Sequence, residues 1–370
     1  MAQPLARIHI LQALRTYAAL PVVLFHTGYV ITGIHKVGVF GVHMFFLLSG
    51  YIMASICTTD THAFLRRRVI RIVPSYWLMT ILLYCFAAKF PRLMNATQAV
   101  PIELLKSLLF IPFMKTNGLF QPILFVGWTV NYETFFYVVL AVALFISKRR
   151  ALLIASIFVL AIVGVSSVFE NQSAIAKFYS NPVIVEFIFG LIAFYCVHAI
   201  PKDRAAQLKY LWIAIMTVAL ISLPLIEGFN LFPSASTVIQ FGPLSFLLIW
   251  SSCLLAIGGS DIRPGLIVLI GDASYTLYLV HPYIEMLLDR VVAKRIPLFH
   301  ITTLFGCLFA VAVAVAVSIL LYLKVEKPAL SYLTRRLCRR DYASRPVFAV
   351  TTSVAADGVR PHYATGRVVD

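Results

Sequence analysis

Ten stretches of about 20 residues run almost free of charge along this chain, near 11–30, 39–57, 70–88, 128–146, 151–169, 182–199, 211–226, 243–257, 266–288 and 301–323. A bilayer core roughly 30 Å thick is crossed by about 20 helical residues, and only elements that satisfy their own backbone hydrogen bonds can stand in it. With 61% hydrophobic residues among 370, the chain has more apolar surface than a soluble core can bury. The reading is all-α: a polytopic membrane helical bundle of about ten transmembrane helices. The seventh and eighth stretches are the least defined, because Pro224, Pro233 and Pro243 crowd their ends.

Basic residues set the expected orientation. With a cytoplasmic N-terminus, 21 of the 31 Lys and Arg fall in inside segments and nine outside, while Arg15 lies within a span. That bias places both termini in the cytoplasm and makes the number of spans even. The net charge of +16 is thus a topology signal, not a nucleic-acid surface. From about Arg339 the chain turns polar, basic and Gly/Pro-punctuated, so 1–335 reads as the membrane domain and 336–370 as a disordered cytoplasmic tail. The N-terminus shows no short apolar core followed by a small-residue cleavage site, so the first span is expected to be retained. The loop Lys89 to Gly127 would face outward, with Ile102–Phe113 too short to span and hence interfacial or re-entrant. The six cysteines carry no CxxC pair and read as apolar fillers, with no metal site implied.

Arg15 and His26 sit inside the first apolar stretch, eleven residues apart. An ionisable side chain at mid-membrane depth costs roughly 2.5–3.5 kcal/mol and calls for a reason. Eleven helical steps return to nearly the same face, so Arg15, Ala19, Val22 and His26 form one stripe, along which a slender ligand would fit. His26 by itself could simply bond a neighbouring helix; the shared face with Arg15 favours a site. A neutral imidazole can take a hydroxyl proton, as acyl transfer to an alcohol requires.

Four further segments carry ionisable groups at membrane positions. FLRRRVIR, Phe64–Arg71, sits at the cytoplasmic mouth of the third span, where Arg66, Arg67, Arg68 and Arg71 anchor topology. Arg68 and Arg71, three apart, can also grip phosphates from one side, as a coenzyme A donor would need. GVHMFFLLSGY, Gly41–Tyr51, holds His43, with Ser49 and Gly50 allowing close backbone approach. GWTVNYETFFY, Gly127–Tyr137, places Glu133 one turn into a span; it is either a carboxylate favoured by the helix N-terminus or a group orienting His26 or an acceptor hydroxyl. SYTLYLVHPYI, Ser274–Ile284, offers His281 before a kinking Pro282, either as a bond that satisfies the kink or as a third site imidazole. Glu285 and Asp289 beyond it would meet the outer aqueous layer.

Taken in order, LQALRTYAALPVVLFHTG, GVHMFFLLSGYIM, RRRVIRIVPSYW, GWTVNYETFFY and SYTLYLVHPYI resemble the successive blocks of the acyltransferase-3 family over roughly residues 5–335. The resemblance implies about ten spans and transfer of an acyl group, usually acetyl, from cytoplasmic acyl-CoA to an extracytoplasmic sugar hydroxyl. It implies Arg15 and His26 as the essential pair and Arg68 and Arg71, with Arg67 beside them, as the donor-binding arginines. Glu133 and His281 match further family positions. The second block usually has an acidic residue where this chain has His43, which would leave Glu133 as the partner of His26. The sequence is expected to lack an attached soluble esterase-like domain, so completion of transfer would fall to the membrane portion or a separate partner. The compact form resembles the branch that decorates bacterial exopolysaccharide. The expectation is an inner-membrane O-acetyltransferase using acetyl-CoA, with His26 as general base or transient acyl carrier. The alternatives are a transporter or flippase of a glycolipid or acyl donor, which would use the same polar groups as a pathway, and a structural subunit of a glycan-synthesis complex, which would leave Arg15 and His26 unexplained.

Overall fold

A computed structural model describes residues 8–338 apart from 32–33, 60, 62–63, 95–96, 116 and 167–172. Among them every long element is helical and no strand forms. The helices are α1 (His9–Thr27), α2 (Val39–Thr59), α3 (Phe64–Lys89), α4 (Pro101–Leu108), α5 (Trp128–Ile146), α6 (Ala151–Ser166), α7 (Ala174–Tyr179) and α8 (Glu186–His198). They continue as α9 (Lys202–Gln207), α10 (Lys209–Gly228), α11 (Thr237–Ile257), α12 (Leu266–Asp272), α13 (Ser274–Leu287), α14 (Leu304–Leu321) and α15 (Lys327–Leu337).

Each of the ten expected stretches falls on a helix or, for the ninth, on the α12–α13 pair. Among the described residues, six segments are long and apolar enough to cross a membrane: Val39–Thr58, Phe64–Lys89, Phe125–Ile146, Lys209–Gly228, Thr237–Ile257 and Leu304–Leu337. Ala151–Val165 and Pro182–His198 are apolar but shorter. In α1 the polar His9, Gln12, Arg15 and His26 dilute the apolar run, and the ninth stretch breaks at Ala273 into helices of 7 and 14 residues. Helix α15 continues to Leu337; the remainder of the expected tail, 339–370, lies outside the described residues. Large apolar side chains on the outer faces, such as Phe145 at 94% exposure, face outward as a lipid-solvated surface demands.

The core lies where α1, α2, α8, α11 and α13 meet. The Ser49–Gly50 step does what its small residues predict: a Cβ on Gly50 would lie 2.1 Å from the Phe187 carbonyl oxygen, and one on Gly190 would lie 2.1 Å from that of Leu47. Two facing glycines therefore let α2 and α8 pack backbone to backbone. The ring of Phe136 stacks on Phe187 at 4.4 Å and joins α5 to this pair.

The helix starts that flank the site are capped from far along the chain. Ile8, at the α1 N-cap, has no side-chain acceptor; Asp261 takes its place and accepts from the His9 and Ile10 amides at 2.8 and 2.9 Å. At α2, Glu227 accepts from the Gly38, Val39 and Phe40 amides at 3.0, 2.8 and 3.2 Å. Both carboxylates satisfy otherwise orphaned donors at the positive end of a helix dipole.

Candidate active site

Three of the sequence-selected arginines converge on one cavity of about 370 Å³, within the range of ordinary ligand sites. Arg15 enters from α1, Arg68 and Arg71 from α3, Glu133 and Tyr137 from α5, and Ser49 from α2. The spacing of three between Arg68 and Arg71 puts both on the same wall, as the helical repeat dictates. Arg67, on another face of α3, is not among the lining residues.

Glu133 is bound inside this cavity. It accepts from Ser49 Oγ at 3.1 Å and from the Tyr137 hydroxyl. The Arg68 guanidinium lies over the Tyr137 ring, 5.9 Å from its centroid, and its buried Nε has no hydrogen-bond partner. Arg15 has Arg71 as a like-charged neighbour and Glu133, Asp272 and Glu326 as opposite ones. Three guanidinium groups against one lining carboxylate give the cavity a net positive wall, and the orphaned Arg68 Nε leaves a donor directed at no protein acceptor. Such a wall matches a phosphate-bearing ligand.

His26 does not line the cavity. Its partner is His281: His26 Nδ1 lies 3.2 Å from His281 Nε2, with ring centroids 5.0 Å apart. This corrects the expectation that Glu133 orients His26. The two tautomers follow from the surrounding acceptors. His281 Nδ1 lies 2.9 Å from the Leu277 carbonyl and also faces that of Tyr278, which Pro282, lacking an N–H, cannot occupy. The proton therefore sits on Nδ1, and His281 Nε2 presents a lone pair. His26 Nδ1 faces that lone pair and the Val22 carbonyl at 2.8 Å, so it too is protonated, and His26 Nε2 is left as an unprotonated base. The ring that satisfies the kink through its Nδ1 is thus the one that meets His26 through its Nε2.

The stripe between Arg15 and His26 is filled. Ala19 and Val22 are each 2% exposed; Ala19 packs with Ile270, Leu277 and Ala314, and Val22 presses on Gly41. That face of α1 is closed over by α12, α13, α14 and α2, contrary to the sequence expectation of an open stripe. The cavity and the histidine pair instead share Tyr278. Its ring lines the cavity together with Phe45 and Thr129 and stands 6.0 Å from the His281 ring. Thr129 Oγ1 donates to the Tyr278 hydroxyl at 2.9 Å, which donates to the Val126 carbonyl at 3.1 Å.

His43 is paired elsewhere, its Nδ1 at 2.5 Å from Glu186 Oε1, with both side chains buried. Sequence reasoning missed Glu186, although a carboxylate in the apolar run PVIVEFIFG is the signal that marks an intramembrane partner. It also missed Glu326, which accepts from Thr276 close to Arg15 and Arg71, and it left Glu285 in water, whereas the structure buries it.

The family model described as an acyltransferase domain, of acyltransferase type 3, matches residues 8–323. The exopolysaccharide production protein ExoZ of Rhizobium meliloti (strain 1021) is 33% identical over 312 residues, covering 81% of this chain and 92% of that protein. No solved structure matches. A polytopic helical bundle with an arginine-walled cavity beside a paired histidine, matched by that model over most of its length, belongs to the acyltransferase-3 family of integral membrane acyltransferases.

Proposed function

We propose that this chain is an inner-membrane O-acetyltransferase that moves an acetyl group from cytoplasmic acetyl-CoA to a hydroxyl of an exported polysaccharide. The observation that carries the reading is the His26–His281 contact, whose partners leave His26 Nε2 as the free base, beside Tyr278, which also lines a cavity walled by Arg15, Arg68 and Arg71. The polysaccharide class is supported by the likeness to a protein of exopolysaccharide production. The basic bias supports ten crossings with both termini inside, which puts Arg66, Arg67, Arg68 and Arg71 at the cytoplasmic face.

In this reading Arg68 and Arg71 hold the donor phosphates, Arg15 supplies positive charge deeper along the cavity, and Glu133 keeps Tyr137 and Ser49 in place beside them. His26 Nε2 takes the proton of the acceptor hydroxyl as its oxygen bonds to the thioester carbonyl carbon. The carbon–sulfur bond then breaks, and His26 returns the proton to the departing thiolate, so that ester and free thiol are the products. Tyr278, whose ring lines the cavity and neighbours the His281 ring, moves aside for the acyl group to reach the base.

The test is the full-length protein in lipid vesicles with radiolabelled acetyl-CoA and alkali-deacetylated exopolysaccharide. Label in the glycan with the native chain, lost in His26→Ala at equal protein, is expected. Full transfer by His26→Ala would overturn the mechanism, and movement of intact glycan across the vesicle without labelling would replace it with transport.

A further inference from the structure

Helix α13 carries more polar chemistry than the histidine pair uses. His281, Glu285 and Asp289 follow one another at intervals of four, so they share one broad face. Eight residues at about 1.5 Å each carry that face roughly 12 Å from the base toward the end of the bundle opposite Arg15. Exposure rises along it: His281 is 0% exposed, Glu285 is 2% exposed, and the Asp289 side chain is 30% exposed, 3.5 Å from His300 Nε2.

On this stretch Glu285 Oε1 is buried and makes no hydrogen bond. A buried carboxylate without a donor is costly unless something polar meets it, and in a membrane helix such groups face a polar pathway. Tyr283 stands beside Phe125 at 6.2 Å, and Phe125 lies 5.6 Å from the His26 ring. Tyr283 and Phe125 thus link this stretch of α13 to the half-buried His26. Just beyond them α13 winds into a π-turn at Leu288–Val292, a distortion often found at functional sites.

Resting on the acyltransferase reading, we propose that the α13 face from His281 through Glu285 to Asp289 is the acceptor path, and that it binds an uncharged, polyhydroxylated sugar ring. The buried Glu285 carboxyl accepts a hydrogen bond from a sugar hydroxyl, and the more open Asp289 carboxylate repels a ring that bears its own acid group. Glu285, one turn from His281, accepts from a hydroxyl next to the one that His26 deprotonates. Glu285 and Asp289 are positioning residues here and take no part in bond making.

The experiment compares the native chain with Glu285→Gln and Asp289→Asn, each full length in vesicles. Radiolabelled acetyl-CoA is the donor, and the acceptors are oligosaccharides cut from alkali-deacetylated exopolysaccharide, separated into neutral and uronate-bearing fractions. Glu285→Gln is expected to raise the acceptor KM about tenfold or more, with the donor KM within about twofold and thermal stability unchanged or higher. Asp289→Asn, at a more open position, gives a smaller rise in the same constant and lessens the preference for the neutral fraction. Unchanged acceptor KM in both variants, with transfer and its dependence on Arg68 and Arg71 intact, overturns the acceptor path alone. A native chain that transfers no label to either fraction overturns the reading beneath it as well.

Discussion

His281 Nε2 lies 3.2 Å from His26 Nδ1 although 255 residues separate them in the chain. Because both Nδ1 atoms are held on carbonyls one helical turn back, His281 Nε2 is occupied by His26 Nδ1–H, and His26 Nε2 is the unprotonated nitrogen left to take a proton. The base is thus defined by two backbone acceptors and one partner ring, with no carboxylate in contact.

That arrangement separates the two histidines in their mutant kinetics. His26→Ala should abolish transfer. His281→Gln, which keeps a polar side chain but loses the ring lone pair, should lower kcat by about 10²-fold, the lower end of what a positioned base contributes, and leave the donor KM within about twofold. Steady-state kinetics with varied acetyl-CoA decides it, and an equal loss through the donor KM would place His281 in donor binding instead.

The arginine cavity predicts a different signature. Arg68→Lys together with Arg71→Lys preserves charge but removes the planar two-pronged grip on phosphate. The donor KM should rise about tenfold or more with little change in kcat at saturation. Arg67→Lys, outside the cavity wall, should change neither constant.

Tyr278 is held by Thr129 and Val126 where cavity and base adjoin. Tyr278→Phe keeps the ring and frees it from both bonds. If opening limits the rate, kcat should rise or hold while hydrolysis of acetyl-CoA without acceptor increases; if the hydroxyl serves the chemistry, kcat falls. Measuring both activities on one preparation distinguishes these outcomes.

Glu227 caps α2 through three amides. Glu227→Ala should destabilise the fold by about 1–2 kcal/mol through loss of the cap, read as a lower thermal midpoint in detergent. The donor KM should stay near the native value, because Glu227 touches none of the arginine wall.

Gly190→Val tests the α2–α8 contact. The branched side chain meets the Leu47 carbonyl at a backbone distance no rotamer relieves, so the variant should fail to accumulate as folded protein. Gly164→Ala, whose added Cβ would meet no described atom within 4 Å, should accumulate normally and serve as the control.

Much of this was written in the sequence. Apolar run length determined that the chain is helical and membrane-embedded, because a bilayer admits few other solutions. Helical spacing determined that Arg68 and Arg71 share a wall and that Ser49–Gly50 marks a close crossing. The high cost of ionisable groups in an apolar run singled out Arg15, His26, Glu133 and His281 before any contact was visible.

Tertiary structure decided which of these groups meet. Periodicity gives the face of a helix but not the helix that covers it, so the Arg15–His26 stripe looked open while α2, α12, α13 and α14 closed it. By sequence Glu133 could have oriented His26 or met an acceptor hydroxyl; the packing of α5 against α2 and α3 sent it to Ser49 and Tyr137. The pairings of His26 with His281, His43 with Glu186, and Glu227 with the start of α2 join residues 143 to 255 positions apart. Such contacts depend on how whole helices dock, and no local pattern of residues encodes them.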